Sequence, residues 1–257
     1  MAVLQFKFDE SYDGRFMTVG GWLGEEDEWL RLEKSWQHCI DRTNFNNNAS
    51  RQISRFHATD MNGYYRDFAN WTPEMSARFA SKLIGFIAKR RMGGITIGAD
   101  MEALKDAFRE GDQTRKDYAY VLCMKTAMVE IVHLMREYFA GDTVRLIHDH
   151  GNWDQQALSG YNLMVNDERW GNRELFNGIT SLTAAQSVGL QAADMIAFEG
   201  HKALRGRLVY NSETLRKAMQ TMQAKGIPIV GKYIDVAAAR ALKQIMDESG
   251  RYEAQTN

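Results

Sequence analysis

The stretch Val3-Leu4-Gln5-Phe6-Lys7-Phe8-Asp9-Glu10 alternates, with Leu4, Phe6 and Phe8 on one face and Val3, Gln5 and Lys7 on the other. That is the period of a β-strand. Asp9 and Glu10 close it. After a turn at Asp13-Gly14 the run from Phe16 to Leu23 reads as a second strand, and so short a connection predicts an antiparallel hairpin. The same signature, an apolar strand running into an acid, recurs at Val144-Arg145-Leu146-Ile147-His148-Asp149. Ligands of open α/β sheets bind beyond the carboxyl ends of parallel strands. If these two strands lie side by side and parallel, Asp9 and Asp149 emerge at one edge although they are far apart in the chain.

The acidic stretch Glu25 to Glu28 suits a helix N-terminus, and Trp29, Leu32, Trp36 and Ile40 follow at helical spacing as a buried stripe. Residues 43 to 55, with Asn44, Asn46, Asn47, Asn48 and Ser50, predict a mobile loop that a substrate or partner would order. Thr72-Pro73-Glu74 starts a helix with a capping side chain and a ring already set to helical φ; Phe79, Leu83, Phe86 and Ile87 are its apolar stripe and Gly93-Gly94 its stop. Ile95, Ile97 and Ala99 predict a third strand. A short polar helix and a long one from about Lys116 to Phe139, ended by Gly141, come next. Beyond Asp149 the pattern predicts a helix from about Trp153, a fifth strand near Ile179 to Thr183, a helix from Gly189 to about Leu204, and two more helices starting near Ser212 and Tyr233. This order predicts one α/β domain: a five-stranded mixed sheet flanked by helices, with the first strand central and next to the fourth.

At 44% hydrophobic and 25% charged residues, the 257-residue chain can build a substantial core. Neither a basic, apolar leader nor an apolar run long enough to span a membrane stands out. Cys39 and Cys123 each fall inside a helical segment, so neither a disulfide framework nor a thiolate metal site is expected, and a reducing, cytoplasmic setting fits. A net charge of −1 argues against coating nucleic acid by bulk electrostatics. Affinity for a polynucleotide must then be local. Two basic clusters, Lys89-Arg90-Arg91 and Lys202 with Arg205 and Arg207, are either solvated helix ends or the border of such a site.

Gln191 and Asp194 lie three residues apart and share a helix face, within a segment otherwise apolar from Leu190 to Phe198. A carboxylate buried there is costly when alone. It needs a basic side chain or a backbone donor as partner, or a cation shared with Asp9 and Asp149. Clustered carboxylates raise one another's pKa values unless a cation neutralises them, and an all-oxygen donor set suits Mg²⁺ or Mn²⁺. Such a site activates water and steadies a leaving oxygen, which points to phosphodiester hydrolysis.

Taken in order, Asp9-Glu10-Ser11, Phe56-His57-Ala58-Thr59-Asp60, His148-Asp149 and Gly189-Leu190-Gln191-Ala192-Ala193-Asp194 resemble the bacterial family called domain of unknown function 3800. The resemblance spans about residues 3 to 205 and leaves 206–257 as a C-terminal helical extension. It implies an RNase H-like fold, with Asp9, Asp149 and Asp194 as metal ligands and Glu10 and Gln191 as nearby ligands or substrate contacts. It also places His57 and Asp60 in the same constellation, where His57 would orient water, position a phosphate or protonate a leaving group. His148, His150 and His201 read first as structural, although His150 beside Asp149 is also a candidate substrate contact. His38 and His133 fall within helices and carry no case. The expected activity is that of a metal-dependent nuclease on DNA or RNA. The alternatives are a hydrolase of a small phosphorylated metabolite or nucleotide, and a non-catalytic RNase H-like module binding nucleic acid or protein.

Overall fold

The computed structural model of the chain describes residues 3–47, 51–105, 112–139, 143–241 and 244. Strands β1 (Val3–Tyr12) and β2 (Phe16–Glu25) form the expected antiparallel hairpin, and β3 (Met92–Asp100) extends it antiparallel to β2. On the other side of β1, β4 (Thr143–Asp149) runs parallel to it, followed by β5 (Phe176–Leu182), also parallel. The first strand is therefore interior and beside the fourth, as the sequence predicts. The sheet has six strands, not five, in the order β5-β4-β1-β2-β3-β6.

The additional strand, β6 (Ile229–Ile234), takes in Tyr233 itself and corrects the expectation of a wholly helical C-terminal extension; the helix expected to start near Tyr233 begins just after it, at Val236. Pro228 ends the preceding turn and its carbonyl accepts from Gly94 N at 2.8 Å, which docks the short apolar run parallel to the otherwise open edge of β3.

Helix α1 (Glu26–Asn46) is followed by α2 (Ala58–Gly63) and α3 (Pro73–Ile87), and the Thr72 hydroxyl caps α3 by accepting from Met75 N at 3.3 Å. Residues 43–46 continue α1 and do not begin a loop. Asn44 then uses both ends of its amide on Ile53, donating to the carbonyl at 2.7 Å and accepting from the amide at 2.8 Å. Asn48, Ser50 and Gly141 lie outside the described residues. Gly93 and Gly94 do not stop α3, which ends at Ile87; they belong to β3. Helices α4 (Met101–Lys105), α5 (Asp112–Tyr138), α6 (Asp154–Val165), α7 (Gly189–Tyr210) and α8 (Lys217–Ala224) follow. The eighth begins at Lys217 instead of Ser212, because Asn211 in the left-handed region ends α7 and starts a short extended link.

The two faces of the sheet are built differently. Leu4, Phe6, Phe8, Met17, Val19, Ile95 and Ile97 pack under α4, α5 and α6. The other face is covered by α1, α3, α7 and α8, and where α7 crosses it the strands offer Gly20, Gly94, Thr96 and Gly98. A Cβ at Gly20 would meet the Ala197 Cα at 2.5 Å, so the absence of a side chain lets the α7 backbone rest on the sheet. Within α5, Lys116–Tyr138 is long and apolar enough to cross a membrane, yet 72% of its most apolar window is buried inside the protein. It is a core helix of this fold. Cys39 on α1 and Cys123 on α5 are both free and buried.

Candidate active site

The β1–β4 register pairs Phe8 with His148, so Asp9 and Asp149 follow on the next rung. Alternation points both toward α7, the side on which Lys7 reaches Ser187. Asp194, in the second turn of α7, meets them there. A cavity of about 280 Å³ is lined by Asp9, Glu10, Asp149, Asp194, Arg55, His57 and Gln191, among others. Glu10 starts on the opposite face of the pleat, but its longer side chain brings its carboxyl to that of Asp9.

Two polar networks hold these residues in place. At the start of α7, Glu33 Oε1 accepts from Lys7 Nζ at 2.6 Å, Ser187 Oγ at 2.9 Å and Gly189 N at 3.0 Å. Lys7 also donates to Ser187 Oγ at 2.9 Å and sits over the Trp29 ring at 4.7 Å. One buried anchor from α1 thus ties β1 to the N-terminus of α7. The second network explains the Gln-x-x-Asp spacing. Gln191 Oε1 accepts from Phe56 N at 2.8 Å and from Trp36 Nε1 at 3.1 Å, while Asp194 Oδ2 accepts from Ala58 N at 2.7 Å. Residues on one face of α7 therefore lace segment 56–58 across the cavity, and Arg55 and His57 come with it.

The electrostatics are those of crowded acids. Burial and then the charge of Asp149 raise Asp9 to about 7. Burial, followed by the Asp9 charge, lifts both Glu10 and Asp194 well above the usual carboxylate range. Asp149 is raised by burial, against the pull of Arg55 and the backbone amides of His150 and Ala184. Arg55 favours the charged forms of Asp9, Asp149 and Asp194 together.

His57 lies with its Nδ1 3.0 Å from Asp60 Oδ2, close enough for an ion pair but off the line of a hydrogen bond. Asp60 stands behind it, shared with Arg66 at 3.5 Å, and does not line the cavity. His150 turns away to Asp154 at 2.6 Å on the surface. Buried His148 has Nδ1 3.0 Å from the Asp149 carbonyl, and buried His201 contacts Asp13 at 3.1 Å; burial lowers the pKa of both.

Four participants were not legible in the sequence. Arg55 directly precedes the Phe56-His57 motif, a position that was its only signal. Glu33 and Lys7 form an anchor between α1 and β1 that no local pattern announces. Tyr120 on α5 is fully buried, stacks on Trp153 at 5.1 Å and has no hydrogen-bond partner for its hydroxyl among the described residues. Burial first, then the charges of Glu10 and Asp9, hold its pKa well above the ordinary phenol value.

Among the described residues no three His, Cys, Asp or Glu side chains stand as a completed metal ligand set. The donor chemistry nonetheless fits a hard cation: the acids are oxygen donors, mutually repelling and half-buried in one polar cavity. The raised pKa of Asp9 has a checkable consequence. A carboxylate whose folded pKa exceeds its unfolded value contributes stability below the unfolded value and loses it as pH rises through the folded one. Asp9→Asn removes that loss. In metal-free buffer the melting temperature of Asp9→Asn should gain on the wild type as pH rises from about 4 to about 7. His148 and His201 titrate alike in both proteins and cancel. A constant difference across this window would mean that Asp9 is not electrostatically strained.

The chain matches no family model, no curated protein and no solved structure, so the function of this site is read from its geometry.

Proposed function

We propose that the protein is an RNase H-like, divalent-metal-dependent phosphodiesterase acting on nucleic acid. The observation that carries this is the convergence of Asp9, Glu10, Asp149 and Asp194, from three distant segments, on one polar cavity that also holds Arg55. The sheet supports the fold part of the reading, since its first strand has the hairpin on one side and two parallel strands on the other; β6 is an addition outside the hairpin.

Asp9, Asp149 and Asp194 would hold Mg²⁺ or Mn²⁺, with Glu10 beside them. When bound, the cation neutralises the acids and lowers the pKa of a coordinated water. The chain's own groups do the rest. Arg55 offers a planar fork of donors to a phosphate. His57, half-exposed at the cavity wall and backed by Asp60, is placed to carry a proton to or from the reacting oxygens. Gln191 would hold segment 56–58 in place through its carbonyl oxygen, which is committed to Phe56 and Trp36, and only its amide nitrogen would be left to meet the substrate.

The test is hydrolysis of bis-para-nitrophenyl phosphate and of labelled oligonucleotides with Mg²⁺, with Mn²⁺ and with chelator. Metal-dependent cleavage of either supports the proposal; no cleavage, together with no calorimetric binding of either metal, ends it. A hydrolase of a small phosphorylated metabolite is favoured by one feature, since a cavity of about 280 Å³ is small even for a ligand pocket.

A further inference from the structure

On α7, Asp194, Phe198 and Lys202 follow at four-residue spacing, and Arg205 lies one turn farther along the same stripe. The helix runs from the cavity toward the β1–β2 turn, where Arg205 reaches Asp13 at 3.2 Å. Arg216, from the link before α8, folds back onto this stripe. Its guanidinium lies over the Phe198 ring at 5.2 Å, with Lys202 Nζ at 4.9 Å from the same ring, and it also bonds Asn62 of α2. Three cations therefore line the stripe that leads from the cavity toward the β1–β2 turn. The acids near them are Asp13, which also faces buried His201, and Glu199, which is buried 3.7 Å from Arg216. Arg205 and Arg216 keep about 40% of their side-chain surface exposed, at 41% and 40%. Burial depresses the Lys202 pKa first, and the charges of Arg205 and Arg216 add to this against the pull of Asp13 and Glu199.

The other basic cluster is differently disposed. Arg90 donates to the Arg31 carbonyl and Ser35, and Arg91 to the Tyr138 carbonyl. Both sit where β2 ends and β3 begins, at the end of the sheet opposite Asp9.

We propose that the substrate is a single nucleic-acid strand whose scissile phosphate enters the carboxylate cavity while its flanking phosphates lie along α7 on Lys202, Arg205 and Arg216. This deepens, and rests on, the phosphodiesterase reading of the same site. At 1.5 Å per residue the ridge carries charge about 12 to 17 Å from Asp194. That is the reach of about four or five stacked nucleotides at 3.4 Å each. A small phosphorylated metabolite seated in the cavity leaves the ridge unused. A flexible strand can bend down into a recessed cavity, whereas a duplex is stiff over many base pairs.

The experiment is fluorescence anisotropy of a short labelled single-stranded oligonucleotide, with chelator present so that no turnover intrudes, across a salt series. Lys202→Gln/Arg205→Gln should weaken binding about tenfold and reduce the slope of log K against log salt by about 1.4, at roughly 0.7 per lost contact. Because Arg205→Gln also frees Asp13, two variants accompany it. Lys202→Gln alone should lower the slope by about 0.7, and Arg216→Lys, which keeps its charge, should leave it unchanged. Unaltered affinity and slope in the first two variants, or wild-type preference for duplex, would overturn the inference. Metal-dependent hydrolysis of bis-para-nitrophenyl phosphate without oligonucleotide binding would overturn it too, leaving the phosphodiesterase standing. Binding through the ridge with no metal-dependent hydrolysis would overturn the catalytic reading instead and leave the ridge as a binding surface.

Discussion

Asp194→Asn is expected to reduce metal-dependent hydrolysis by at least about a hundredfold while leaving the fold intact. In metal-free buffer the variant should melt at the same temperature as the wild type or higher. The side chain is held by a backbone amide, Ala58 N at 2.7 Å from Oδ2, and the carbonyl of Asn can accept that bond. Packing of Leu190, Met195 and Phe198 around it should survive a nearly isosteric change. What disappears is a buried negative charge facing Asp9 and Asp149, and in the absence of a cation burial and these acids outweigh the Ala58 amide and Arg55, so that the charge opposes folding on balance. Catalysis needs the opposite balance, since a hard cation takes both charge and oxygen from its ligands and an amide supplies only a neutral oxygen. Thermal melts with and without Mn²⁺, alongside rates, decide the matter. A large loss of stability in metal-free buffer with an unchanged metal response would make Asp194 a structural residue.

Glu33→Ala should produce the largest loss of stability among these changes, about 3–5 kcal/mol by denaturant unfolding. Glu33 Oε1 is the common acceptor for Lys7, Ser187 and Gly189, and Lys7 is only 5% exposed. Truncation leaves an ammonium buried with, among the described residues, Ser187 and the Trp29 ring for company. It also releases the first turn of α7 from β1, so activity should fall with stability although Glu33 touches no substrate. Glu33→Gln keeps an acceptor for Ser187 and Gly189 and should recover part of the loss. A cost under about 1 kcal/mol for the alanine variant would mean that solvent already screens this pair, as it does exposed ones.

Much of this architecture is written locally. Alternation from Val3 to Phe8 and the apolar run from Val144 to Ile147 determined two strands, and the acids that close them determined where to look for chemistry. The Trp29, Leu32, Trp36 stripe and the Thr72-Pro73 start were equally explicit, because helical periodicity and capping involve residues within a few positions of one another. The Gln-x-x-Asp pair could be placed on one helix face by the same reasoning, but its partners could not. That Gln191 and Asp194 would seize the backbone of Phe56 and Ala58 depends on how α7 crosses the sheet, and this depends in turn on Gly20 admitting the backbone of Ala197. The sixth strand was hidden for a related reason. A short run such as Ile229 to Ile234 has no compelling periodicity, and it becomes a strand only because β3 offers it an unpaired edge. The sequence by itself thus determined the class of fold and the three acids. Only the tertiary structure decided that Arg55 joins them, that Glu33 and Lys7 hold them, and which basic cluster stands beside them, since each of these is a contact between segments whose sequences carry no mark of one another.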